Sequence, residues 1–215
     1  SDFKLNPICR EDCILLKISD MYHILKKIHL CNFGPINTIM IKILAISGSI
    51  RSNSLHHAIL KRIGEWIPGS IEYEIFSGLD SIPHFNPDLD SDSPPLSIVN
   101  FRKKMKESDG IIICTPEYAF GVPGTLKNAL DWTVSSGEFA NKHVALITAS
   151  SVGDKGHASM INTLHAVSAI FSTDETLLIP FIKAKVNASG FFTDSNAEKS
   201  VEKLISNFLG KINEL

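Results

Sequence analysis

Short apolar runs alternate with longer segments of helical periodicity from residue 40 to the end of the chain. The runs predict five strands, and the amphipathic segments predict five helices. The strand candidates are 41–47, 71–76, 110–115, 143–149 and 175–181, and the helix candidates are 53–66, 95–108, 123–136, 156–171 and 195–213. Three of the strand candidates are almost continuously apolar, as expected of strands that are covered on both faces. Alternating strands and helices therefore predict an α/β fold with a parallel sheet and right-handed crossovers.

The chain changes character near Met40, and this change predicts a domain boundary. Residues 12–31 carry apolar side chains at roughly helical spacing, and a breaker run follows at 32–35. We expect residues 1–39 to be a peripheral N-terminal extension, either a non-native or upstream-translated leader or a weakly docked helix, and residues 40–215 to form the α/β domain. An amphipathic helix that packs on a partner or a membrane surface is the less favoured alternative, because its polar face has only moderate positive charge.

Composition and charge narrow the class of protein. Of the 215 residues, 44% are hydrophobic and 20% are charged, which is typical of a soluble globular protein, and the net charge of −2 offers no basic excess for nucleic acid. The cysteines, Cys9, Cys13, Cys31 and Cys114, form no zinc-like pairs, and the histidines have no metal-ligand spacing. We therefore expect no metal site, and histidines with surface or capping roles. No apolar stretch reaches 18 residues and no secretory pattern is present, so a cytoplasmic protein without a membrane span is expected.

The loop after the first predicted strand is rich in hydroxyl groups and leads directly into a helix. It contains Ser47, Ser49, Ser54 and one arginine, Arg51. Backbone N–H groups at a helix N-terminus favour a phosphate, and a guanidinium can add charge-assisted hydrogen bonds. The loop matches neither the GxGxxG pattern of dinucleotide sites nor the GxxxxGK[ST] pattern of nucleoside triphosphatases. It predicts a phosphate site, and the alternative is a serine-rich helix cap with nothing bound.

Two further loops follow the third and fourth predicted strands. Residues 115–124 contain two prolines and two glycines, which fix a backbone path that can present amides to a planar heterocycle, with Tyr118 and Phe120 as aromatic walls. The alternative is a turn whose aromatic side chains fill the core. Residues 149–157 form a second loop of small residues. Because ligands of open parallel sheets bind beyond the carboxyl ends of the strands, we expect the three loops to form one ligand site.

On these motifs the chain resembles a known family, the NADPH-dependent FMN reductases of flavodoxin-like fold, which include bacterial quinone, azo and chromate reductases. The resemblance covers residues 40 to about 212. It is carried mainly by residues 116–132, and secondly by the Gly-Ser-Ile-Arg motif at 48–51 followed by Ser54. It implies a doubly wound, flavodoxin-like sheet of five parallel strands in the order 2-1-3-4-5. It also implies bound FMN, NADPH or NADH as the co-substrate, and a homodimer or homotetramer.

The same resemblance assigns parts of the cofactor to each loop. Ser49, Arg51 and Ser54 hold the FMN phosphate, residues 116–121 run along the isoalloxazine edge, and the loop at 150–153 closes the other side of the ring. The expected cofactor-binding residues are Ser47, Ser49, Arg51, Ser54, Leu55, Pro116, Glu117, Tyr118, Ala119, Phe120, Gly121, Ser150, Ser151 and Gly153.

The chain departs from the family pattern in places. Ala119 stands where many members have Asn, and His56 stands where an Asn often follows the phosphate loop. The loop at 150–157 is also less rich in glycine than usual. We interpret Glu117 as a brace for its loop rather than as a general acid, and Cys114 as a core residue rather than a redox-active one.

The implied function is transfer of a hydride from the nicotinamide through FMN to quinone, azo, flavin or metal-oxyanion acceptors by a ping-pong mechanism. No catalytic side chain is expected, because the flavin itself carries the chemistry. Lys127, Asn128 and Asp131 could bind the nucleotide, but the oligomer that the resemblance implies leads us to expect them at a contact between subunits. The alternatives are a flavodoxin-like electron carrier and an FMN-dependent binding or sensor protein without turnover. Electron carriers are usually strongly acidic, so the mild net charge and the presence of Arg51 weigh against that class.

Overall fold

The structure is a computed structural model that describes residues 40–214. The predicted extension at 1–39, with its helical segment and three of the cysteines, lies outside the described residues. The strands are β1 Lys42–Ser47, β2 Glu72–Ile75, β3 Gly110–Thr115, β4 His143–Ala149 and β5 Thr176–Ile179. The helices are α1 Leu55–Trp66, α2 Leu96–Glu107, α3 Gly124–Asp131, α4 Asp154–Ala166, α5 Ile182–Lys185 and α6 Ser195–Ile212. All strand pairs are parallel, and the sheet order is β2-β1-β3-β4-β5.

The predicted α/β fold, its parallel sheet and the strand order 2-1-3-4-5 are confirmed. Each predicted strand and helix is present, with bounds that differ by a few residues, and the helix predicted at 123–136 is the shorter α3. The strand predicted at 175–181 ends at Ile179. Pro180 has no N–H to offer a neighbouring strand, and Phe181 adopts a left-handed backbone with φ 56°. The short helix α5 that follows was not predicted.

The sheet is covered by helices on both faces, and alternate strand residues point to opposite faces. Ile43 and Ala45 of β1 belong to a buried cluster with residues of α1 and α6, whereas Leu44 and Ile46 belong to a second cluster with residues of α2, α3 and α4. All six residues of β3 are buried, including Cys114, whose free thiol has its pKa raised by burial. The prediction that Cys114 belongs to the core is confirmed. Burial on both faces is the physical reason for the continuous apolar runs that predict the strands.

The long connection between β2 and α2 is fastened to the end of α3. The side-chain N–H groups of Asn128 and Trp132 both donate to the carbonyl oxygen of Pro83, each at 2.9 Å. Oδ1 of Asn128 accepts the backbone N–H of Phe85 at 2.7 Å, and the Phe85 ring packs edge-on against Trp132 with the centroids 5.1 Å apart. Both ends of the Asn128 amide are therefore used within the chain, and the contact between subunits expected at this residue stays a prediction.

Between residues 40 and 214, no helix is both long and apolar enough to cross a membrane. Over the same range, no three His, Cys, Asp or Glu side chains are grouped so that they could hold a metal ion.

Candidate functional site

A cavity of about 550 Å³ opens where the strands end at the carboxyl edge of the sheet. Its volume lies within the range of small-molecule sites, roughly 300–1,000 Å³. Four segments contribute to its lining: 49–56 after β1, 116–118 after β3, 149–151 at the end of β4 and 182–188 after β5. The three loops that were predicted to share a ligand site do meet here, and a fourth segment joins them.

The predicted site residues divide into three groups. Those that line the main cavity are Ser49, Arg51, Ser54, Leu55, Pro116, Glu117, Tyr118, Ser150 and Ser151. Ser47 instead lines a neighbouring cavity of about 220 Å³, which shares Ser49 and Arg51 with the main cavity. The predicted residues that line neither cavity are Ala119, Phe120, Gly121 and Gly153.

Part of the lining was missed by sequence reasoning. The missed residues are Asn53, His56, Ala149, Ile182, Lys183, Val186, Asn187 and Ala188. Asn53 and His56 belong to the loop that had already been singled out, so its composition could have identified them. The segment at 182–188 contains no serine or glycine and follows directly on a predicted strand, so no local signal marks it as part of a site.

The loop after β1 is shaped by Gly48 and capped by Ser54. The N–H of Gly48 donates to the carbonyl oxygen of Cys114 at 2.8 Å, and a Cβ at Gly48 would lie only 2.6 Å from the Cβ of Thr115. Oγ of Ser54 accepts the N–H of His57 at 3.5 Å and so caps α1. Because the first residues of α1 line the cavity, its remaining free N–H groups and the positive end of its dipole favour an anion there.

His56 connects this loop with the end of β4. Its Nε2 lies 2.7 Å from the carbonyl oxygen of Ala149, and its Nδ1 lies 3.4 Å from Oγ of Ser54. A carbonyl oxygen can only accept, so Nε2 donates and Nδ1 is the acceptor of the neutral ring. Burial lowers the pKa of His56, and the hydrogen bond to Ala149 opposes that lowering. The expectation of a surface or capping role is wrong for His56, which is buried between two walls of the cavity.

Glu117 joins the loop after β3 to helix α4. Its Oε2 accepts the N–H of Gly156, in the first turn of α4, at 2.5 Å. Gly153 occupies the N-cap position of this helix and has no side chain to cap it, so the Glu117 carboxylate takes over that role. A Cβ on Gly156 would lie 2.8 Å from the Cβ of Glu117, so glycine is required for this approach. The prediction that Glu117 braces its loop is confirmed.

The tip of the loop after β3 is a tight turn with an unfavourable backbone. Tyr118 and Gly121 exchange two backbone hydrogen bonds of 2.9 and 3.1 Å across it. Ala119 and Phe120, the two residues between them, have φ values of 49° and 60°. A left-handed conformation costs most L-amino acids about 1–2 kcal/mol, and Asn is among the residues that tolerate it best. Ala119, which by the family resemblance stands where many members have Asn, therefore leaves the turn strained.

Replacing Ala119 by Asn is expected to raise the free energy of unfolding by about 0.5–1 kcal/mol, because the new residue tolerates the left-handed backbone. Ala140→Asn is the matched control, since Ala140 is exposed and has no positive φ. Its effect should stay within about 0.5 kcal/mol. Urea denaturation of the three proteins makes the comparison. Equal stabilities for the two variants would mean that the turn stores no strain.

The charged groups around the cavity favour an anionic ligand. Arg51 and Lys183 are the cations of its lining, and Glu117 is the carboxylate. That carboxylate already accepts the N–H of Gly156, so part of its charge is compensated within the protein. With the N-terminus of α1 beside them, the two cations make a phosphate group a suitable ligand.

The sheet order, the helices on both faces and the cavity at the carboxyl edge define a flavodoxin-like α/β protein. The solved structure of FerB, a flavoenzyme NAD(P)H:(acceptor) oxidoreductase from Paracoccus denitrificans, is similar, with a TM-score of 0.70 and 26% identity. That similarity covers 81% of this chain and 98% of FerB. Residues 41–182 match the NADPH-dependent FMN reductase family, and the chain belongs to that family.

Two proteins of similar sequence are named for different reductase activities. An NAD(P)H-dependent FMN reductase of Pseudomonas aeruginosa is 34% identical over 113 residues, which are 52% of this chain and 60% of that protein. A 2-hydroxy-1,4-benzoquinone reductase of a Burkholderia species is 26% identical over 175 residues, which are 78% of this chain and 94% of that protein. The match to the Pseudomonas reductase thus spans less than two thirds of its length, whereas the match to the Burkholderia reductase spans nearly all of it.

Proposed function

We propose that this protein holds FMN in the main cavity and uses it to carry a hydride from NADPH or NADH to a small-molecule acceptor. The observation that carries the proposal is the meeting of three strand-end loops at one cavity that combines cations, hydroxyl groups and a helix N-terminus. Membership of the NADPH-dependent FMN reductase family supports FMN as the ligand. The name of the Burkholderia relative supports a quinone as one acceptor.

The residues at the cavity fit the parts of FMN. Ser49, Arg51 and Ser54 supply hydroxyl and guanidinium donors for the phosphate beside the N-terminus of α1. Residues 116–121 and 150–153 would bind the two sides of the isoalloxazine ring. Ala119, Phe120, Gly121 and Gly153 lie in these two loops but do not line the cavity.

The side chains bind and orient, and they need supply no acid, base or nucleophile. FMN, when it is bound, provides the hydride chemistry. The nicotinamide and the acceptor both need access to the same ring, so we propose that they use the cavity in turn, in a ping-pong reaction. Quinones, azo compounds, free flavin and metal oxyanions are the proposed acceptors.

We further propose a cytoplasmic homodimer or homotetramer. Several large apolar side chains are exposed on the described part of the chain, including Leu96, Phe120 and Val134. A contact between subunits would cover such side chains. Lys127 and Asp131, which form an ion pair on the surface of α3, stay candidates for this contact.

Absorbance and steady-state kinetics test the proposed function. We expect the purified protein to be yellow, or to become yellow with added FMN, and to oxidise NADPH or NADH when a benzoquinone is present. Double-reciprocal plots at several quinone concentrations should be parallel if the two substrates use the cavity in turn. Flavin binding without turnover of either nucleotide would contradict the reductase proposal and favour an electron carrier or a sensor.

A further inference from the structure

Within the segment at 181–190, residues 182–188 form a wall of the cavity that the three predicted loops do not supply. Its first end is fastened to the loop after β4. The N–H of Phe181 donates to the carbonyl oxygen of Ser151, and the N–H of Ile182 donates to that of Ser150, both at 3.1 Å. The left-handed backbone of Phe181 turns the chain at this point, so that α5 follows beside the cavity rather than extending β5.

The second end of the segment is fastened to α1. Gly190 has φ 87°, and a Cβ there would lie 2.6 Å from the carbonyl carbon of Ala58, so the chain packs directly on the backbone of the helix. Oδ1 of Asn187 accepts the N–H groups of Ser189 and Phe191 at 3.0 and 3.1 Å and shapes the turn between the two ends. The segment therefore bridges two walls of the cavity in a fixed position.

Lys183 is the cation that this wall brings to the cavity. Its side chain is exposed, and within residues 40–214 it has neither an ion-pair partner nor a side-chain hydrogen bond, in contrast to the paired Lys127 and Lys155. Arg51, the cation of the loop after β1, is also exposed and has neither an ion-pair partner nor a side-chain hydrogen bond within residues 40–214. An ammonium group on a flexible stem is a common ligand of phosphate oxygens.

We propose that Lys183 binds a phosphate group in the main cavity and acts together with Arg51 from a different wall. This inference rests on the proposed function, because that function supplies the phosphate. Two phosphate sources share this chemistry, the phosphate of FMN and the phosphates of the nicotinamide nucleotide. They differ in the measurement they affect, since the first changes flavin affinity and the second changes the KM for NADPH or NADH.

The test compares Lys183→Ala with Lys185→Ala. Lys185 lies on the same short helix but does not line the cavity, so its variant controls for the loss of one positive charge. The apoprotein of each variant is titrated with FMN and with riboflavin, and the KM for NADPH and for NADH is measured with a saturating quinone. We expect Lys183→Ala to weaken FMN binding, or to raise the KM for the nucleotide, by about three- to tenfold. Riboflavin affinity should not change in either variant.

A Lys183→Arg variant completes the design, because it keeps the positive charge and should retain most of the wild-type value. A loss for FMN alone identifies the flavin phosphate, and a higher nucleotide KM alone identifies the nicotinamide nucleotide. Unchanged FMN affinity together with unchanged KM overturns the proposal, as does an equal loss for FMN and riboflavin or an equal effect of Lys185→Ala. Wild-type protein that binds no FMN and oxidises neither nucleotide is a different result, because it rejects the proposed function itself.

Discussion

Replacing Gly48 by alanine is expected to lower the free energy of unfolding by about 1–3 kcal/mol, because the added methyl group has no space. The new Cβ would lie 2.6 Å from the Cβ of Thr115 and closer still to its hydroxyl. Thr115 is only 1% exposed at the end of the central strand, so it cannot move aside into solvent. Any relief must come from a shift of the loop after β1, and FMN affinity should fall with the stability. Urea denaturation and FMN titration measure the two effects.

Gly69→Ala is the matched control for this prediction, because a Cβ at Gly69 meets no atom within 4 Å and Gly69 has no positive φ. That variant should be as stable as the wild type or more stable by up to about 1 kcal/mol. Combining Gly48→Ala with Thr115→Gly removes both Thr115 atoms of the clash, the hydroxyl oxygen and the Cβ. The double variant should therefore be more stable than the sum of the single effects. If the two single effects simply add, the steric explanation is wrong.

Replacing Arg51 by alanine is expected to weaken FMN binding by about 10- to 100-fold. A hydrogen bond to a charged group contributes about 1.5–3 kcal/mol, which corresponds to that range of dissociation constants. Riboflavin has no phosphate, so its affinity should change by less than about threefold. Titration of the apoprotein with the two flavins, followed by fluorescence, measures both constants. The ratio of the two constants isolates the phosphate from any general disturbance of the cavity.

Two further variants sharpen the Arg51 experiment. Arg51→Lys keeps the charge but loses the bidentate geometry, so it should have an intermediate FMN affinity. Lys103→Ala removes a cation that is 67% exposed on α2 and does not line the cavity, so FMN binding should be unaffected. FMN affinity that is unchanged in Arg51→Ala, or reduced equally with riboflavin, would remove Arg51 from the phosphate site.

Local patterns along the chain predicted most of the secondary structure and much of the lining of the cavity. Strands β1, β3 and β4 could be located because burial on both faces requires apolar side chains at nearly every position. The loop after β1 could be recognised as leading into a helix because serine hydroxyls satisfy free N–H groups of a first turn, as Ser54 does in the structure. The three loops could be grouped because the ends of parallel strands must share one edge of the sheet. The bracing role of Glu117 was also anticipated, although its partner Gly156 was not.

Other features depend on residues that are distant in sequence, and only the tertiary structure decided them. The segment at 182–188 became a wall of the cavity because Phe181 turns the chain and Gly190 packs on α1, and neither contact leaves a local composition signal. His56 is buried because its ring reaches the carbonyl of Ala149, 93 residues away. The sequence by itself thus determined the layered α/β fold and the edge of the sheet at which the cavity opens, since both follow from periodicity and strand direction. The complete lining of the cavity includes Lys183. It depends on the contacts of the segment after β5 with α1 and with the loop after β4.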